Sequence, residues 1–348
     1  MGTVSKINKM KLKLNIGISN NFQKIDDEMY KLLIANNHNI DYIANISILP
    51  EQIDNMNNKI SNIIKNNNSF NSNICSVPLY ESSILNRDIL DTLKKHIDLG
   101  YKGFTFHLTP FNLLKETIDN NNFRINSRGG MILNNYFDSG LSENPLITHW
   151  DKILNILDDN NIKNIFIGTS LRPGNCNDSL YFSKSELSFI NLFLNSDVDK
   201  FIMEAGGHIK KENVNSYYNY IKEFNLCSMG PIISDGTNGF DNLTTQFGNM
   251  LIADNYRLHT ALIITKAEHI RIPTTEDTEE AIKHFSVFKH LMNLKNNESS
   301  AKLIEEEFTR KHDTCKMDRN IFGLFESDKE CNMCGSEEND FCPLRKIK

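Results

Sequence analysis

Short apolar runs alternate with amphipathic stretches along most of the chain. Eight runs rich in β-branched and aromatic residues have the length of buried strands, at positions 12–18, 42–48, 74–80, 103–108, 164–171, 200–204, 226–232 and 260–266. Segments with helical spacing separate most of them, for example at 26–36, 53–65, 86–99, 150–158, 183–194 and 214–224. Eight such repeats over about 250 residues are typical of a (β/α)8 barrel.

An open doubly wound sheet also alternates strands and helices, and the pattern alone does not separate the two architectures. The first predicted strand is not followed by a Gly-x-Gly-x-x-Gly turn, which would favour the open nucleotide-binding sheet. We therefore predict an α/β fold with a TIM-type (β/α)8 barrel over residues 1–293. Residues 294–348 are predicted to form a helical, cysteine-bearing C-terminal tail.

Composition narrows the classes of partner and compartment. The 348 residues carry a formal net charge of −6, whereas a nucleic-acid-binding face usually shows as a basic excess. No apolar run approaches the length of about 18 residues that a membrane helix needs. The seven cysteines are an odd number, and four of them lie near the end of the chain, unlike a secreted disulfide framework. We expect a cytoplasmic protein that binds neither nucleic acid nor membrane.

Polar residues with possible chemical roles lie at or just after the ends of seven of the eight predicted strands. They are Asn15, Ser19, Tyr80, His107, Arg172, Glu204, His208, Ser234, Asp235, Glu268 and His269. Any one of them is more often an ordinary core or loop residue than a functional one. Because barrel enzymes build their active sites at the carboxyl ends of the strands, the whole set favours an active site there.

Two loops on that face combine arginine with glycine. They read Ser127-Arg128-Gly129-Gly130 and Leu171-Arg172-Pro173-Gly174. Arginine offers a forked donor, and glycine allows backbone N–H groups to approach an anion closely. An ordinary glycine-rich turn would look the same. Together the two loops indicate a phosphorylated small-molecule substrate.

Histidines and cysteines suggest two metal sites. His208 and His269 follow strands, and two neutral imidazoles could share a divalent ion such as zinc or iron. Cys331, Cys334 and Cys342 could hold three irons of a [4Fe–4S] cluster. Addition of Cys315 or His312 would instead complete a tetrahedral zinc site, and a Cys331–Cys334 disulfide is a third alternative.

Several stretches, in one collinear order from residue 15 nearly to the C-terminus, carry a family likeness. They are Asn15-Ile16-Gly17, Val77-Pro78-Leu79-Tyr80, Gly103-Phe104-Thr105-Phe106-His107, Ser127-Arg128-Gly129-Gly130, Glu143-Asn144-Pro145-Leu146, Leu171-Arg172-Pro173-Gly174, Glu204 with Gly207-His208, Met229-Gly230-Pro231, the run from Ala267 to Thr274, and the final Cys-x-x-Cys-Gly. The chain resembles the phosphomethylpyrimidine synthases of thiamine biosynthesis and their paralogues, the 5-hydroxybenzimidazole synthases of cobamide biosynthesis. Both are radical S-adenosylmethionine (SAM) enzymes.

The resemblance implies a barrel with a cluster-bearing tail, usually as a homodimer. Cys331, Cys334 and Cys342 would bind a [4Fe–4S] cluster, whose open iron holds SAM. An external one-electron reductant would drive cleavage of SAM to a 5′-deoxyadenosyl radical, which abstracts hydrogen from 5-aminoimidazole ribotide. Such a lyase would rearrange the ribotide to 4-amino-5-hydroxymethyl-2-methylpyrimidine phosphate.

The resemblance also assigns site residues. Those expected to bind the ribotide are Asn15, Tyr80, His107, Ser127, Arg128, Gly129, Arg172 and Glu204. Among them Tyr80, His107 and Glu204 are the predicted catalytic residues. His208 and His269 match the two histidines that hold an additional divalent metal, zinc or iron, in the family.

The chain departs from the family pattern at several places, including Ala44-Asn45, where the family has a Met-Asp pair. Thr169 stands where the family has a substrate-contacting Asp, and Cys227 where it has a pocket Tyr. Seven residues separate Cys334 from Cys342, where the family usually has four. These departures keep two alternatives open: a 5-hydroxybenzimidazole synthase or its subunit, and a non-catalytic paralogue whose tail binds zinc structurally.

Overall fold

Eight parallel strands close into a barrel in chain order, so the predicted TIM-type fold is confirmed. The computed structural model describes residues 9–120, 125–194 and 198–311, with 335–336 and 339–340. The barrel strands are β1 Lys11–Ile16, β2 Tyr42–Asn45, β3 Asn73–Ser76, β4 Gly103–His107, β5 Asn164–Gly168, β6 Phe201–His208, β7 Asn225–Ile232 and β8 Leu258–Leu262. Closure is made by β1 and β8, which pair in parallel register from Lys11 opposite Thr260.

Helices connect the strands. They are α1 Ile25–Asn37, α2 Pro50–Asn66, α3 Pro78–Ile84, α4 Ile89–Asp98, α5 Phe111–Ile118, α6 Arg128–Asp138, α7 Pro145–Thr148, α8 Trp150–Asp159, α9 Tyr181–Phe193, α10 Val214–Tyr218, α11 Asp241–Ala253, α12 Thr275–Lys295 and α13 Ser299–Lys311. Short 3₁₀ turns occur at Val198–Lys200, Lys211–Asn213, Asn219–Ile221 and Asp235–Thr237. No described helix is both long enough and apolar enough to cross a bilayer.

Local sequence accounts for these elements, as α4 shows. Asp88 caps its N-terminus and accepts hydrogen bonds from the backbone N–H groups of Leu90 and Asp91. Ile89, Leu93 and the other buried positions recur at helical spacing, so one face of the helix packs inward.

Several predicted boundaries need correction. The strands predicted at 42–48, 164–171 and 260–266 end at Asn45, Gly168 and Leu262. The strand predicted at 74–80 ends at Ser76, because Pro78 lies in the first turn of α3 and starts a helix that contains Tyr80. The helix predicted at 214–224 ends at Tyr218 and continues only as a 3₁₀ turn. The strand predicted at 200–204 extends to His208, because Gly206 and Gly207, both with positive φ, carry it through a change of register.

The barrel interior nearer the amino ends of the strands is filled by side chains that alternate along the strands. This cluster comprises Tyr42, Ala44, Cys75, Phe166, Ile202 and Cys227, all nearly or fully buried. The next inward-facing layer, closer to the carboxyl ends of the strands, is polar. The interior is therefore closed below and open only toward the face where the site lies.

The described residues fall into two compact units, Met10–Ile282 and a second that includes residues 283–311. In the second, His290 Nε2 contacts Glu305 Oε1 at 2.8 Å, and Gly335–Ser336 (β9) pairs antiparallel with Asn339–Asp340 (β10). The predicted cluster ligands, and the alternative zinc ligands Cys315 and His312, lie outside the described residues. The division into domains 1–293 and 294–348 stays a prediction.

Candidate active site

The carboxyl ends of the barrel strands surround a cavity of about 510 Å³. The predicted site residues that line it are Asn15, Tyr80, His107, Ser127, Arg128, Arg172, Glu204, His208 and His269. Gly129 packs against the ring of His107 at the same place. Residues as far apart in sequence as Asn15 and His269 thus meet at one face of the barrel. Their individual roles stay predictions.

The ring of His107 lies in a slot between two glycines. A Cβ atom on Gly129 would overlap the imidazole, and one on Gly168 would lie 2.7 Å from its Cε1 atom. Tyr80 stacks near the ring, with centroids 6.5 Å apart and planes 21° apart. Burial, with the positive charges of Arg172 and Lys13, lowers the pKa of His107 to about 3. At neutral pH the cavity therefore receives an uncharged imidazole.

One wall of the cavity concentrates positive charge at the start of α6. Ser127 caps this helix, and its Oγ accepts hydrogen bonds from Gly130 N at 3.3 Å and from Arg172 Nη2 at 3.1 Å. Arg128 donates to the carbonyl of Ile46 at 2.8 Å, which fixes its guanidinium beside the cavity. Two guanidinium groups and the N-terminus of a helix are groups that favour an anion such as phosphate, and the role of these residues in binding one stays a prediction.

The cavity floor contains an ion pair that sequence reasoning missed. The buried ammonium group of Lys13 contacts Glu204, lies 3.4 Å from Thr105 Oγ1 and sits 3.8 Å above the ring of Phe166. Burial alone would lower the pKa of Lys13, but the Glu204 carboxylate outweighs it, so the pKa is raised and Lys13 is charged. The alternation of side chains along a strand could have predicted it, because Lys13 lies on the same face of the first strand as Asn15, two residues later.

The two predicted metal histidines lie together. Their ring centroids are 4.9 Å apart. His208 Nδ1 contacts Asp235 Oδ1 at 2.7 Å, and His269 Nδ1 lies 3.4 Å from Asp241 Oδ2. Carboxylates on the Nδ1 atoms are the arrangement that fixes metal-binding imidazoles. His269 also has a left-handed backbone, with φ of 61°, which an L residue adopts at some cost.

The chemistry of this pair fits a divalent ion. His208 Nε2 is buried and has no hydrogen-bond partner among the residues that the structure describes, which is costly unless a ligand completes the site. Within the described part of the chain, however, no three His, Cys, Asp or Glu side chains are grouped as a metal site. A metal ion held by the two histidines would therefore need its other ligands from groups other than the described His, Cys, Asp and Glu side chains.

The two pocket departures have structural counterparts. Thr169 is buried and donates its hydroxyl to the backbone carbonyl of Glu204 at 2.9 Å. Cys227 is fully buried in the cluster below the cavity. Neither residue lines the cavity, so neither presents a polar group to a ligand there.

Closed barrel, enclosed cavity and converging polar groups define the chain as a TIM-barrel protein with an enzyme-type site. The chain belongs to the Radical SAM ThiC family, whose model matches residues 2–345. It is 27% identical to a phosphomethylpyrimidine synthase from Alkaliphilus oremlandii (strain OhILAs) over 374 residues, which cover 97% of this chain and 82% of the relative. It is also 27% identical to one from Clostridium acetobutylicum, over 84% of this chain and 70% of that relative.

Among solved structures, the chain is similar to 7,8-dihydropteroate synthase from Vibrio fischeri ES114. The TM-score is 0.44 and the identity 9%, with 82% of this chain and 94% of that chain covered, and we draw nothing from this likeness. Family membership confirms the resemblance recognised in the sequence and makes the chain an enzyme of the radical SAM lyase type. It implies a [4Fe–4S] cluster and SAM as cofactors.

Proposed function

We propose that this enzyme rearranges 5-aminoimidazole ribotide to 4-amino-5-hydroxymethyl-2-methylpyrimidine phosphate, a precursor of thiamine. The observation that carries the proposal is the shared cavity. It brings together the start of α6 with its two arginines, a neutral imidazole on β4 and a pair of histidines at the carboxyl ends of the strands. The names of the curated relatives support the same activity.

The residues of the cavity would bind different parts of the ribotide, according to their positions. Arg172, Arg128 and the start of α6 would hold the phosphate, since cationic forks and helix N-termini favour it. His107 and Tyr80 would then face the heterocycle farther into the cavity. Glu204, paired with the ammonium group of Lys13, would serve as a hydrogen-bond acceptor.

The cofactors would be held at two places. Cys331, Cys334 and Cys342 would bind the [4Fe–4S] cluster, and His208 with His269 a further zinc or iron ion. When bound, the cluster with SAM supplies the radical that starts the rearrangement, given an electron from an external reductant. An enclosed barrel mouth suits this chemistry, because a primary radical must be kept from solvent. We further propose that the enzyme acts as a homodimer.

A second candidate is 5-hydroxybenzimidazole synthesis from the same ribotide. The observation in its favour is the side chain of Thr169, which is tied to backbone and offers the ligand no carboxylate. Loss of a charge-assisted acceptor changes which transition states a pocket stabilises.

The test is incubation of the anaerobically reconstituted protein with 5-aminoimidazole ribotide, SAM and dithionite, followed by mass identification of products. A pyrimidine phosphate supports the first proposal, and a benzimidazole the second. Arg172→Gln should lose activity toward the ribotide, whereas Arg257→Gln, which removes an exposed guanidinium paired with Asp199, should retain it. Stoichiometric zinc, no sulfur-to-iron charge-transfer absorption and no product would contradict both and favour a non-catalytic paralogue.

A further inference from the structure

A line of four buried side chains runs from inside the wall of the barrel to the cavity. Glu186 Oε1 on α9 lies 2.5 Å from Thr109 Oγ1, just after β4. Thr109 Oγ1 lies 2.6 Å from Ser170 Oγ, just after β5. Ser170 Oγ lies 3.2 Å from Nδ1 of His107, whose ring lines the cavity. No gap in this line exceeds hydrogen-bond distance.

Backbone groups hold the line in place at both ends. The carboxyl group of Glu186 accepts hydrogen bonds from the N–H groups of Ser170 at 2.7 Å and Leu171 at 2.8 Å. The side-chain amide of Asn144 donates to the carbonyl oxygens of His107 at 2.9 Å and Thr109 at 3.0 Å. The side chains therefore cannot drift apart without breaking several other buried bonds.

Thr109 is the point where two arrangements of protons are possible. Its hydroxyl has one proton, but the oxygens of both Ser170 and Glu186 are within reach. If Thr109 donates to Ser170, its contact with Glu186 is a hydrogen bond only when that carboxyl group carries a proton. If Thr109 donates to an ionised Glu186, Ser170 must donate to Thr109.

The two arrangements require different tautomers of His107. In the first, the Ser170 hydroxyl donates to Nδ1, so the imidazole proton is on Nε2, the ring nitrogen that Ser170 does not contact. In the second, the Ser170 oxygen is free to accept from Nδ1–H, and Nε2 is an acceptor. The tautomer of the cavity imidazole is thus coupled to the protonation of a carboxyl group behind the wall.

We propose that Glu186, Thr109 and Ser170 form a proton relay that lets His107 donate a proton from Nε2 to a bound ligand and take it back. His107 would be the catalytic residue and the other three positioning residues. The assignment rests on the proposed function, since it takes His107 as the group that faces the ribotide.

The relay step balances without forming a charged imidazole. The N–H bond at His107 Nε2 breaks as its proton moves to a basic nitrogen or oxygen of the ligand. Nδ1 takes the proton of Ser170, and Ser170 takes that of Thr109. Thr109 takes the proton of Glu186, which becomes a carboxylate. One proton leaves Glu186, one reaches the ligand, and no electron is transferred.

The electrostatic surroundings agree with this direction. Burial, Arg172 and Lys13 lower the pKa of His107, so an imidazolium is disfavoured. Burial raises the pKa of Glu186, although Thr109, two backbone N–H groups and Arg172 oppose the shift, so the carboxyl group is suited to store a proton.

The other titratable groups facing the relay do not change charge near neutral pH. Tyr80 stacks near His107, and Tyr217 is coupled electrostatically to Glu186. Burial raises the pKa of both phenols. Burial would lower the pKa of Lys13, but the Glu204 carboxylate raises it, and the guanidinium of Arg172 is a further basic group near the line.

The test is nitrogen NMR of the full-length chain with ¹⁵N-labelled histidine rings, recorded over the whole pH range in which the protein stays folded. His107→Gln assigns the signal. We expect His107 to carry its proton on Nε2 at low pH and on Nδ1 at high pH, with no imidazolium in between. Thr109→Ser, which keeps the hydroxyl, should show the same change.

Two variants should abolish the pH-dependent change of tautomer. Thr109→Val removes the hydroxyl but leaves the backbone bonds of Glu186, and Glu186→Gln removes the titrating proton. A wild-type tautomer that does not vary with pH would overturn the relay. A pH-dependent change of the His107 tautomer that persists unaltered in Thr109→Val would also overturn the relay. The Thr109→Val variant still provides this test if Glu186→Gln does not fold.

Turnover separates the relay from the proposed function. Loss of a general acid typically costs about 10²-fold or more, so Thr109→Val should lower kcat by that factor with little change in KM, and Thr109→Ser should restore it. If wild type shows the tautomer change but forms no product, the proposed function fails and the relay stands. If it forms product while its tautomer stays fixed, only the relay fails.

Discussion

Replacement of Lys13 by Met should destabilise the barrel, because it strands the carboxylate of Glu204 in the cavity floor. Both side chains are buried, with 3% and 8% of their surfaces exposed, so water cannot replace the lost ammonium group. Methionine nearly matches lysine in length and would keep the contact with Phe166. The variant therefore isolates the charge from the packing.

Two estimates give the size of this effect. Removal of one partner from a buried ion pair costs about 3–5 kcal/mol. The stranded carboxylate can instead take up a proton, which at pH 7 costs an ordinary glutamate about 4 kcal/mol and so limits the loss. For a domain of this size each kcal/mol lowers Tm by about 2 °C, so we expect a decrease of about 6–8 °C.

Thermal unfolding followed by circular dichroism would measure the loss. The double variant Lys13→Met/Glu204→Gln should recover most of it, because no unpaired charge remains. The deficit of the single variant should shrink as the pH falls, since protonation of the carboxylate becomes cheaper. Lys59→Met, which breaks the exposed pair with Asp26, is the matched control and should leave Tm unchanged within error. An unaltered Tm in Lys13→Met, or no recovery in the double variant, would refute the reasoning.

Three further predictions concern binding and catalysis. Gly129→Ala should lower kcat/KM by about 10²-fold, because its Cβ overlaps the ring of His107 and an error of about 1 Å in position has that effect. Arg172→Gln should weaken binding of the phosphorylated ribotide by about 10–100-fold, the value of a charge-assisted hydrogen bond, but leave binding of the unphosphorylated riboside nearly unchanged in calorimetry. His208→Asn should abolish the metal retained after cluster removal, and Asp235→Asn should weaken its affinity by about 10–100-fold, measured by metal analysis and chelator competition.

Each of these has a control elsewhere in the chain, and Arg257→Gln is the control for Arg172→Gln. Gly236→Ala adds a Cβ that meets only an ordinary contact 3.7 Å away, so its kcat/KM should match wild type. His149→Asn, on a half-buried histidine outside the cavity, should keep the metal. Equal loss in a control and its test variant would mean that the effect is general destabilisation.

Much of the fold follows from local patterns. Lengths and β-branched composition identified all eight strands, and every predicted strand overlaps an observed one. The error at Tyr80 was avoidable, because Pro78 is a signal for the first turn of a helix. The extension of β6 to His208 could not be seen in the same way, since two glycines ordinarily end a strand.

The grouping of polar residues in the candidate site could be predicted in part, because it depends on the order of the strands. Strand ends of a parallel barrel share one face, so polar residues after successive strands, such as His107 and Arg172, were expected to meet. The carboxylates that contact the Nδ1 atoms of His208 and His269 were harder to predict. Asp241 begins α11, and only the folded chain brings it to His269.

By itself, the sequence determined the repeating strand–helix order and the set of polar groups at one face of the barrel, because both depend on neighbours along the chain. Only the tertiary structure decided which groups pair across the barrel. Lys13 meets Glu204 across 191 positions, and Thr109 meets Glu186 across 77. Such pairs depend on barrel closure, strand register and the direction of each side chain, which no local pattern encodes. The charge of the cavity floor and the protonation of its imidazole are therefore properties of the fold.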